Sequence, residues 1–445
     1  MLKFREYIFQ QLFAVVCFIA TLNLVIESEG LFLQGGLVAV DKPNSFVYML
    51  FMLMFLVSIL LFINIYKNRY YKAALFAVYY FCYIFFVKHG EPFMSFQWDA
   101  LLLETCFLSF LYYLLTPKYQ LGEIAVWFFR ILVFKLMLMS GIAKLASGDK
   151  TWLDCTAMNF HYFTQPLPTW SSFFVHNLPE IFHKISCFLM FVIELVLPFF
   201  IFTTRPLREF AAWAFIALQV IIFLTGNYGF FNILTAILCI SLFDFKSFTD
   251  KEDTALKINR FILLGILGLY AFVSLSLIPM RSSLPIAFKK PGAFYLHNFG
   301  QHYLSSPYGL FAVMTKKRGE IVLQGLNEKN EWLPYEFHHK PQDLKRLPNQ
   351  VAPFQPRVDW QMWFAALGNY KRNPWLIKLC QELLFGNKKM HAFFKDNPFK
   401  DKPPLAIRAL YFDYKFNDFD TYFRTKEFWR REYVGQYLPA IYLRK

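Results

Sequence analysis

RILVFKLMLMSGIAKLASGDKTWLDCTAMNFHYFTQPLP, residues 130–168, joins an apolar run to a polar and aromatic loop. The first half is apolar enough to cross a membrane, yet it contains Arg130, Lys135 and Lys144. A charge at the centre of a membrane helix costs about 2.5–3.5 kcal/mol on insertion scales, so each cation should have a partner or a function. The stretch therefore predicts a membrane helix followed by a loop that carries a functional site.

The composition indicates a membrane protein. Of the 445 residues, 56% are hydrophobic and 17% are charged, and the mean hydropathy is +0.34. A soluble domain usually has about 25% charged residues. Residues 1–279 contain 19 Lys and Arg against 17 Asp and Glu, whereas residues 280–445 contain 27 against 14. The basic last third favours lipid head groups or an acidic protein as a partner, and no motif predicts binding to nucleic acid.

Apolar runs of spanning length recur about nine times along the first 280 residues. They lie at about 8–26, 46–65, 72–87, 99–115, 124–145, 185–203, 209–224, 227–243 and 260–278. The predicted fold is a polytopic α-helical membrane bundle of about nine spans, followed by an extramembrane α+β domain. The predicted division is a transmembrane domain at 1–280, with a long outer loop at 146–184, and a basic domain at 281–445.

The pattern after residue 280 alternates between strand and helix signals. Strands are predicted at 311–314, 320–324 and 335–338, and one long strand is predicted at 405–416. Helices are predicted at 359–367, 374–384 and 388–394.

The distribution of Lys and Arg between the connections predicts the orientation. One set of alternating connections carries twelve cations and the other carries only Lys42, Lys88, Lys150 and Lys184. The N-terminus is therefore expected in the cytoplasm. With nine spans, the loop at 146–184 and the C-terminal domain lie on the outer face, which is periplasmic or lumenal.

The ionisable residues within the spans form a predicted polar network. Its members are Asp99, Glu104, Arg130, Lys135, Lys144 and Glu194. One interpretation is that these residues form buried ion pairs that fix helix packing. The other is that Lys135 or Lys144 carries protons or binds an anion in a cavity. Trp98 is expected in the aromatic belt at the membrane interface.

The loop offers a second set of candidates, which are Asn159, His161, Tyr162, Gln165 and Pro166. His161 could act as a general base with a carboxylate, or the loop could be a hydrogen-bonded structural element. None of these residues has the spacing of a metal site, and no cofactor is predicted. Lys135, Lys144 and His161 are the candidate catalytic residues if the protein is an enzyme.

Several segments, in order along the chain, resemble the lipase maturation factor family. They are FQWDALLLET (96–105), FRILVFKLMLMSGIAK (129–144), CTAMNFHYFTQPLP (155–168), NLPEIFHKIS (177–186), YEFHHKPQDLKRLP (335–348), PRVDWQMWFAAL (356–367), NPWLIKL (373–379) and NPFKDKPP (397–404). The architecture is also similar, more distantly, to the polytopic proteins that include vitamin K-dependent carboxylase.

The resemblance implies a membrane-embedded factor that assists the folding or assembly of secreted proteins such as lipases. In animals such factors reside in the endoplasmic reticulum. The alternative is an integral-membrane enzyme that acts on a lipid or quinone-like substrate, with an intramembrane Lys and His161 transferring protons. The chain contains no N-x-S/T sequon, which favours a bacterial inner membrane over the endoplasmic reticulum membrane.

Overall fold

The computed structural model describes residues 2–65, 67–116, 122–244, 254–282 and 284–443. Among these residues, eight helices are long and apolar enough to cross a membrane, and a shorter apolar helix spans Phe231–Leu242. A region of strands and helices follows. The predicted fold class, a polytopic helical bundle followed by an extramembrane α+β domain, is confirmed.

Nine segments form the bundle. They are α1 Leu2–Ile26, α2 Asn44–Ile63, α3 Arg69–His89, α4 Gln97–Leu115, α5 Trp127–Ala146, α6 Glu180–Phe191, α7 Arg205–Thr225, α8 Phe231–Leu238 and α9 Thr254–Leu277. Two segments are extended by turns of another type. α6 continues as a π-helix at Val192–Val196 and a 3₁₀ helix at Leu197–Phe202, and α8 continues as a 3₁₀ helix at Cys239–Leu242.

Buried ion pairs mark the end of the bundle at which α1 begins. Glu6 in α1 accepts hydrogen bonds from Arg69 at the start of α3, and the guanidinium of Arg69 also contacts Thr116 after α4. Asp244, which follows α8, pairs with Arg130 near the start of α5 at 3.0 Å. The ring of Phe129, beside Arg130, packs against that of Tyr112 in α4, so the two clusters lie at the same end.

The C-terminal region, which follows the bundle, packs on the opposite end, and we call this the covered end. Asn227, just before α8, accepts hydrogen bonds from the backbone amides of Val351 and Ala352. Because Asp244 lies at the other end, the short α8 segment connects both ends of the bundle. Within the described residues, the eight helices of spanning length and this shorter segment together give nine connections between the two ends of the bundle.

Residues 286–309 return into the bundle after α9. The helix α10 (Ile286–Phe299) packs so closely on α9 that a Cβ atom on Gly292 would lie 2.3 Å from the carbonyl oxygen of Ser276. Ser305 then contacts Lys135 in the middle of α5, and the amide of Gly309 reaches Gln97 at the covered end. We call residues 286–309 the re-entrant segment. The division of the chain at residue 280 stays a prediction.

Short helices occupy the long connection between α5 and α6. They are Lys150–Leu153, Met158–Thr164 and Trp170–His176. Three residues secure their ends. Asp149 caps the first helix through the amide of Thr151, and Thr169 forms a capping box with Ser172 at the third. The connection is thus a folded layer on the covered end.

The C-terminal region contains a four-stranded antiparallel sheet in the order β2-β1-β5-β6. Its strands are β1 Arg318–Leu326, β2 Trp332–Pro334, β5 Ala406–Phe416 and β6 Trp429–Tyr442, and a second pair is β3 Glu336–Phe337 with β4 Phe394–Asp396. The helices are α11 Arg357–Ala366, α12 Pro374–Leu384 and α13 Phe419–Thr425, with 3₁₀ turns at Tyr370–Arg372 and Lys388–Phe393.

Four strand assignments differ from the prediction, and two of them are the short strands β2 and β4, which were not predicted. The predicted strand at 311–314 is wrong, because these residues form turns and bends that hydrogen-bond to the connection, as when Trp152 donates to the carbonyl of Phe311. The long strand β6 was not predicted, since charged residues such as Arg430, Arg431 and Glu432 interrupt its apolar pattern.

The bundle and the C-terminal region share one apolar core. Buried side chains such as Phe32 and Phe93 at the covered end belong to the same cluster as Trp375 and Phe393. The ring of Phe93 meets that of Trp375 edge-on, with ring centroids 5.3 Å apart. Burial of this apolar surface holds the C-terminal region against the helices.

Candidate functional site

A cavity of about 300 Å³ lies between α5, α6, α7 and α8 near the covered end. Ligand sites in proteins usually have volumes of about 300–1,000 Å³, so this cavity is large enough for a small ligand. Its wall is mostly apolar, with Leu136, Met190 and Leu218 among its residues. Two of the three predicted catalytic candidates, Lys144 and His161, line it.

Lys144 is paired inside this cavity. Its Nζ atom lies 2.7 and 2.9 Å from the two carboxylate oxygens of Glu194 and 3.3 Å from the carbonyl oxygen of Ser140. An ammonium group has three donors, and these contacts use all of them. Lys144 is therefore neutralised by Glu194 and has no donor left for an anion.

The π-helical turn at Val192–Val196 places Glu194 opposite Lys144. Isolated π turns within helices often occur at functional sites. The close approach of α5 to this turn depends on Gly141, because an added Cβ atom would lie 2.6 Å from Leu195 and 3.1 Å from the Cβ atom of Glu194.

Gly141→Ala is expected to lower the free energy of unfolding by about 1–3 kcal/mol, because the methyl group must push the π turn away. Chemical unfolding in detergent micelles measures this loss. Gly265→Ala in α9 is the matched control, since a Cβ atom there meets nothing within 4 Å. The control should be neutral or stabilising by about 0.5–1 kcal/mol. Equal effects of the two variants would contradict the close contact.

His161, on the helix Met158–Thr164, takes part in a group of hydrogen bonds in which the donor and the acceptor of each bond can be assigned. Gln165 donates through Nε2 to the carbonyl oxygens of Tyr162 and Thr225, so its Oε1 atom accepts from the hydroxyl of Tyr228 at 2.9 Å. The oxygen of Tyr228 also lies 3.3 Å from Nε2 of His161. Because the hydroxyl proton is directed to Gln165, Nε2 of His161 must be the donor to Tyr228.

The protonation state of His161 follows from its surroundings. Burial, together with a smaller effect of the positive charge on Lys144, lowers the pKa of His161 to about 4. The imidazole is therefore neutral near pH 7, with its proton on Nε2 and a lone pair on Nδ1. Among the described residues, Nδ1 of His161 has no hydrogen-bond partner.

The signature loop, residues 159–166, is bound to the C-terminal sheet. The guanidinium of Arg318, at the start of β1, donates to the backbone carbonyls of Phe163, Gln165 and Pro166. The indole of Trp363 donates to the carbonyl of Thr164 at 2.8 Å. Tyr162 and Gln165 are buried, and Asn159 is half-buried. Arg318 was not among the predicted residues, because nothing in the sequence connects it to this loop.

Lys135 lies in a separate and closed cluster in the middle of the bundle. Its Nζ atom is 2.6 Å from Glu104 and 2.6 Å from the hydroxyl of Ser305, and the lysine is fully buried. Glu104 also accepts hydrogen bonds from the hydroxyls of Tyr270 and Tyr308 and from the amide of Ser306. The cluster thus ties α4, α5 and α9 to the re-entrant segment, and Lys135 does not line the cavity.

Asp99 pairs with a residue of the C-terminal region. Both of its carboxylate oxygens accept from Arg357 at the start of α11, at 2.8 and 3.0 Å, and Tyr83 donates to it at 2.5 Å. Asp99 and Arg357 are both fully buried. The neighbouring Trp98 does not face lipid as a residue of an aromatic belt would; it is fully buried and its indole donates to Gln355.

Arg130 takes no part in the cavity. It pairs with Asp244 at the end of the bundle at which α1 begins, and Arg208 contacts the same carboxylate. No group of three or more His, Cys, Asp or Glu side chains that could bind a metal ion occurs among the described residues.

Comparison with known proteins gives two family matches. Residues 37–250 match the model of the lipase maturation factor transmembrane domain, and residues 304–439 match that of the lipase maturation factor C-terminal domain. Lipase maturation factor 1 of Mus musculus is 32% identical over 398 residues, which cover 81% of this chain and 69% of the relative.

Two further relatives match the same share of this chain. Lipase maturation factor 1 of Homo sapiens is 32% identical over 396 residues, covering 81% of this chain and 69% of the relative. Lipase maturation factor 2 of Xenopus tropicalis is 29% identical over 483 residues, covering 81% of this chain and 68% of the relative. No solved structure matches the chain.

Proposed function

The chain belongs to the lipase maturation factor family, and on that premise we propose that it assists the folding or assembly of secreted lipases beside the membrane. The observation that supports this role most directly is the pairing of both family domains in one rigid unit. Arg357 and Arg318 lock the C-terminal region onto the bundle and onto the signature loop. A fixed platform of this kind can hold a client next to the bilayer.

The family gives no support to the alternative of an integral-membrane enzyme. The geometry also separates the residues that this alternative requires. Lys135 is enclosed with Glu104, away from His161, and Lys144 is neutralised by Glu194. The charged groups within the spans are paired with one another, as expected for residues that fix the packing of helices.

We infer that the C-terminal domain lies on the outer side of the membrane. In the sequence, one set of alternating connections carries twelve Lys and Arg residues against four in the other set, and the richer set includes Arg69 and Arg208, which lie at the end at which α1 begins. The C-terminal region contacts the covered end, where secreted clients would pass. For a chain without sequons we propose the bacterial inner membrane, with the endoplasmic reticulum membrane as the eukaryotic counterpart.

The outer edge of the C-terminal sheet is the surface that we assign to the client. β6 pairs with β5 on one side, and its other side has no strand partner among the described residues. Exposed side chains along it include Tyr433, Val434 and Tyr442. An open strand edge binds an extended segment of another chain through backbone hydrogen bonds. A lipase that has not completed folding offers such segments.

Val434→Pro tests this surface, because proline has no backbone N–H and its fixed φ interrupts the strand edge to which an added segment would pair. Val434 lies at a bulge between Tyr433 and Gly435 and has no partner residue in β5, so the sheet should tolerate the change. We expect co-expressed lipase activity in the medium to fall by at least about fivefold, equivalent to roughly 1 kcal/mol of lost binding. Val434→Ala keeps the N–H and should be close to wild type.

Abundance of each variant in the membrane and co-purification of the lipase are measured together with the activity. Loss of co-purification in Val434→Pro at normal abundance supports the edge as the client surface. Normal secretion by this variant would exclude it. If the wild-type chain neither binds a secreted lipase nor raises its activity, the proposed function itself fails.

A further inference from the structure

We propose that the cavity beside His161 binds an uncharged acyl lipid that carries a hydroxyl group and enters from the bilayer. This proposal rests on the shape and the hydrogen bonding of the cavity, and it does not depend on the maturation of a lipase. Three features of the cavity support it, which are its entrance, its charge and its unused acceptor atoms.

The entrance faces the bilayer between α6 and α7. Leu189 in α6 and Ile221 in α7 line the cavity, yet each is more than half exposed on the outer surface of a membrane helix. Ala214 and Ala217, on the same side of α7, also line it, and Ala217 is exposed. Small side chains at these positions leave a gap between the helices that an acyl chain can enter. The apolar wall behind the gap suits such a chain.

The charge of the cavity excludes an ionic head group. Lys144 and Glu194 cancel each other, and the three donors of Lys144 are all used within the protein. His161 is neutral near pH 7. No net charge remains to compensate a phosphate or a carboxylate, and burial of an uncompensated charge is costly.

Two residues of the cavity wall, His161 and Asn232, carry an acceptor atom that has no donor among the described residues. Nδ1 of His161 bears a lone pair, because its Nε2 atom donates to Tyr228. Oδ1 of Asn232 is buried without a hydrogen-bond partner, while its amide nitrogen donates to Gln219. Nδ1 of His161 is not enclosed by protein atoms, so the hydroxyl group of a ligand in the cavity can donate to it. Oδ1 of Asn232 is buried, and buried acceptors nearly always have a donor. An ester carbonyl alone can only accept and would leave both atoms unpaired.

Photo-crosslinking tests the proposal with the full chain in detergent–lipid micelles. The probe is a monoalkylglycerol ether with a diazirine in its alkyl chain, and labelled peptides are identified by mass spectrometry. We expect labelling of peptides from residues 186–193 and 214–225. Excess monoolein should compete at least about tenfold better than an alkyl sulfonate of equal chain length. Labelling elsewhere only, or equal competition by the sulfonate, would overturn the proposal.

Ala217→Phe closes the entrance at an exposed position, where a larger side chain is tolerated. It should reduce labelling at least about fivefold. Ala74→Phe in α3 is the matched control, because Ala74 is exposed on a membrane helix and does not line the cavity. Equal labelling of these two variants would contradict entry between α6 and α7. The peptide map of the wild-type chain decides the site even if Ala217→Phe accumulates poorly.

Discussion

Arg357→Met lowers the free energy of unfolding by about 3–5 kcal/mol, which is one of the two largest effects expected here. The reason is that Asp99 then keeps a buried carboxylate without its bidentate partner. The hydrogen bond from Arg357 to the carbonyl of Phe93 is also lost. Chemical unfolding of the purified chain in mixed micelles measures the change, and membrane abundance should fall with it.

Two controls separate this effect from the general cost of changing an arginine. In Asp99→Asn/Arg357→Met neither charge remains, so at least half of the lost stability should return. Arg346→Met removes a guanidinium from the partly exposed pair with Glu336 and should cost at most about 1 kcal/mol. A loss in Arg357→Met no larger than that in Arg346→Met would refute the role assigned to the buried pair.

The second large effect concerns the cluster around Glu104. Glu104→Met leaves the ammonium of Lys135 buried without a counter-charge. Its remaining side-chain contacts are the hydroxyl of Ser305 and the rings of Tyr270 and Tyr308. Lys135→Met leaves Glu104 with three donors, from Tyr270, Tyr308 and the amide of Ser306. Both variants should lose stability, and Glu104→Met should lose more, by about 3–5 kcal/mol against roughly half of that.

Unfolding in micelles compares the two variants directly. Because Ser305, Ser306 and Tyr308 belong to the re-entrant segment, its release should accompany the loss of stability. Hydrogen exchange at residues 300–309 therefore rises in Glu104→Met before the rest of the bundle opens. Protection of these residues at the wild-type level would show that the cluster does not hold the segment.

Much of the fold could be predicted from the sequence because the signal is local. Membrane helices need long apolar runs, and eight of these runs form helices of spanning length. The run at 227–243 gives a shorter helix, yet Asn227 and Asp244 bind at opposite ends of the bundle. The re-entrant segment escaped prediction, because Pro291, Lys289 and Lys290 in α10 resemble an extramembrane sequence.

The candidate site could be predicted only in part. The sequence provided the ionisable residues of the spans, and the structure brings Lys135 to Glu104 and Lys144 to Glu194. It could not indicate that Asp99 pairs with Arg357, since 258 residues separate them along the chain. The cavity could not be predicted either, because it is formed by tertiary contacts. His161 and Tyr228 come from different connections and meet only in the folded chain. The catalytic or structural role of each residue stays a prediction.

The central claim is that the charges within the spans stabilise the platform and perform no chemistry. Glu104→Gln/Lys135→Met tests it most directly, because it removes both charges and keeps an amide that the two tyrosine hydroxyls can still contact. Lipase activity in the medium is measured per amount of folded variant. The account predicts activity within about twofold of wild type, a difference below roughly 0.5 kcal/mol. A folded double variant at normal abundance that loses lipase maturation altogether would contradict it.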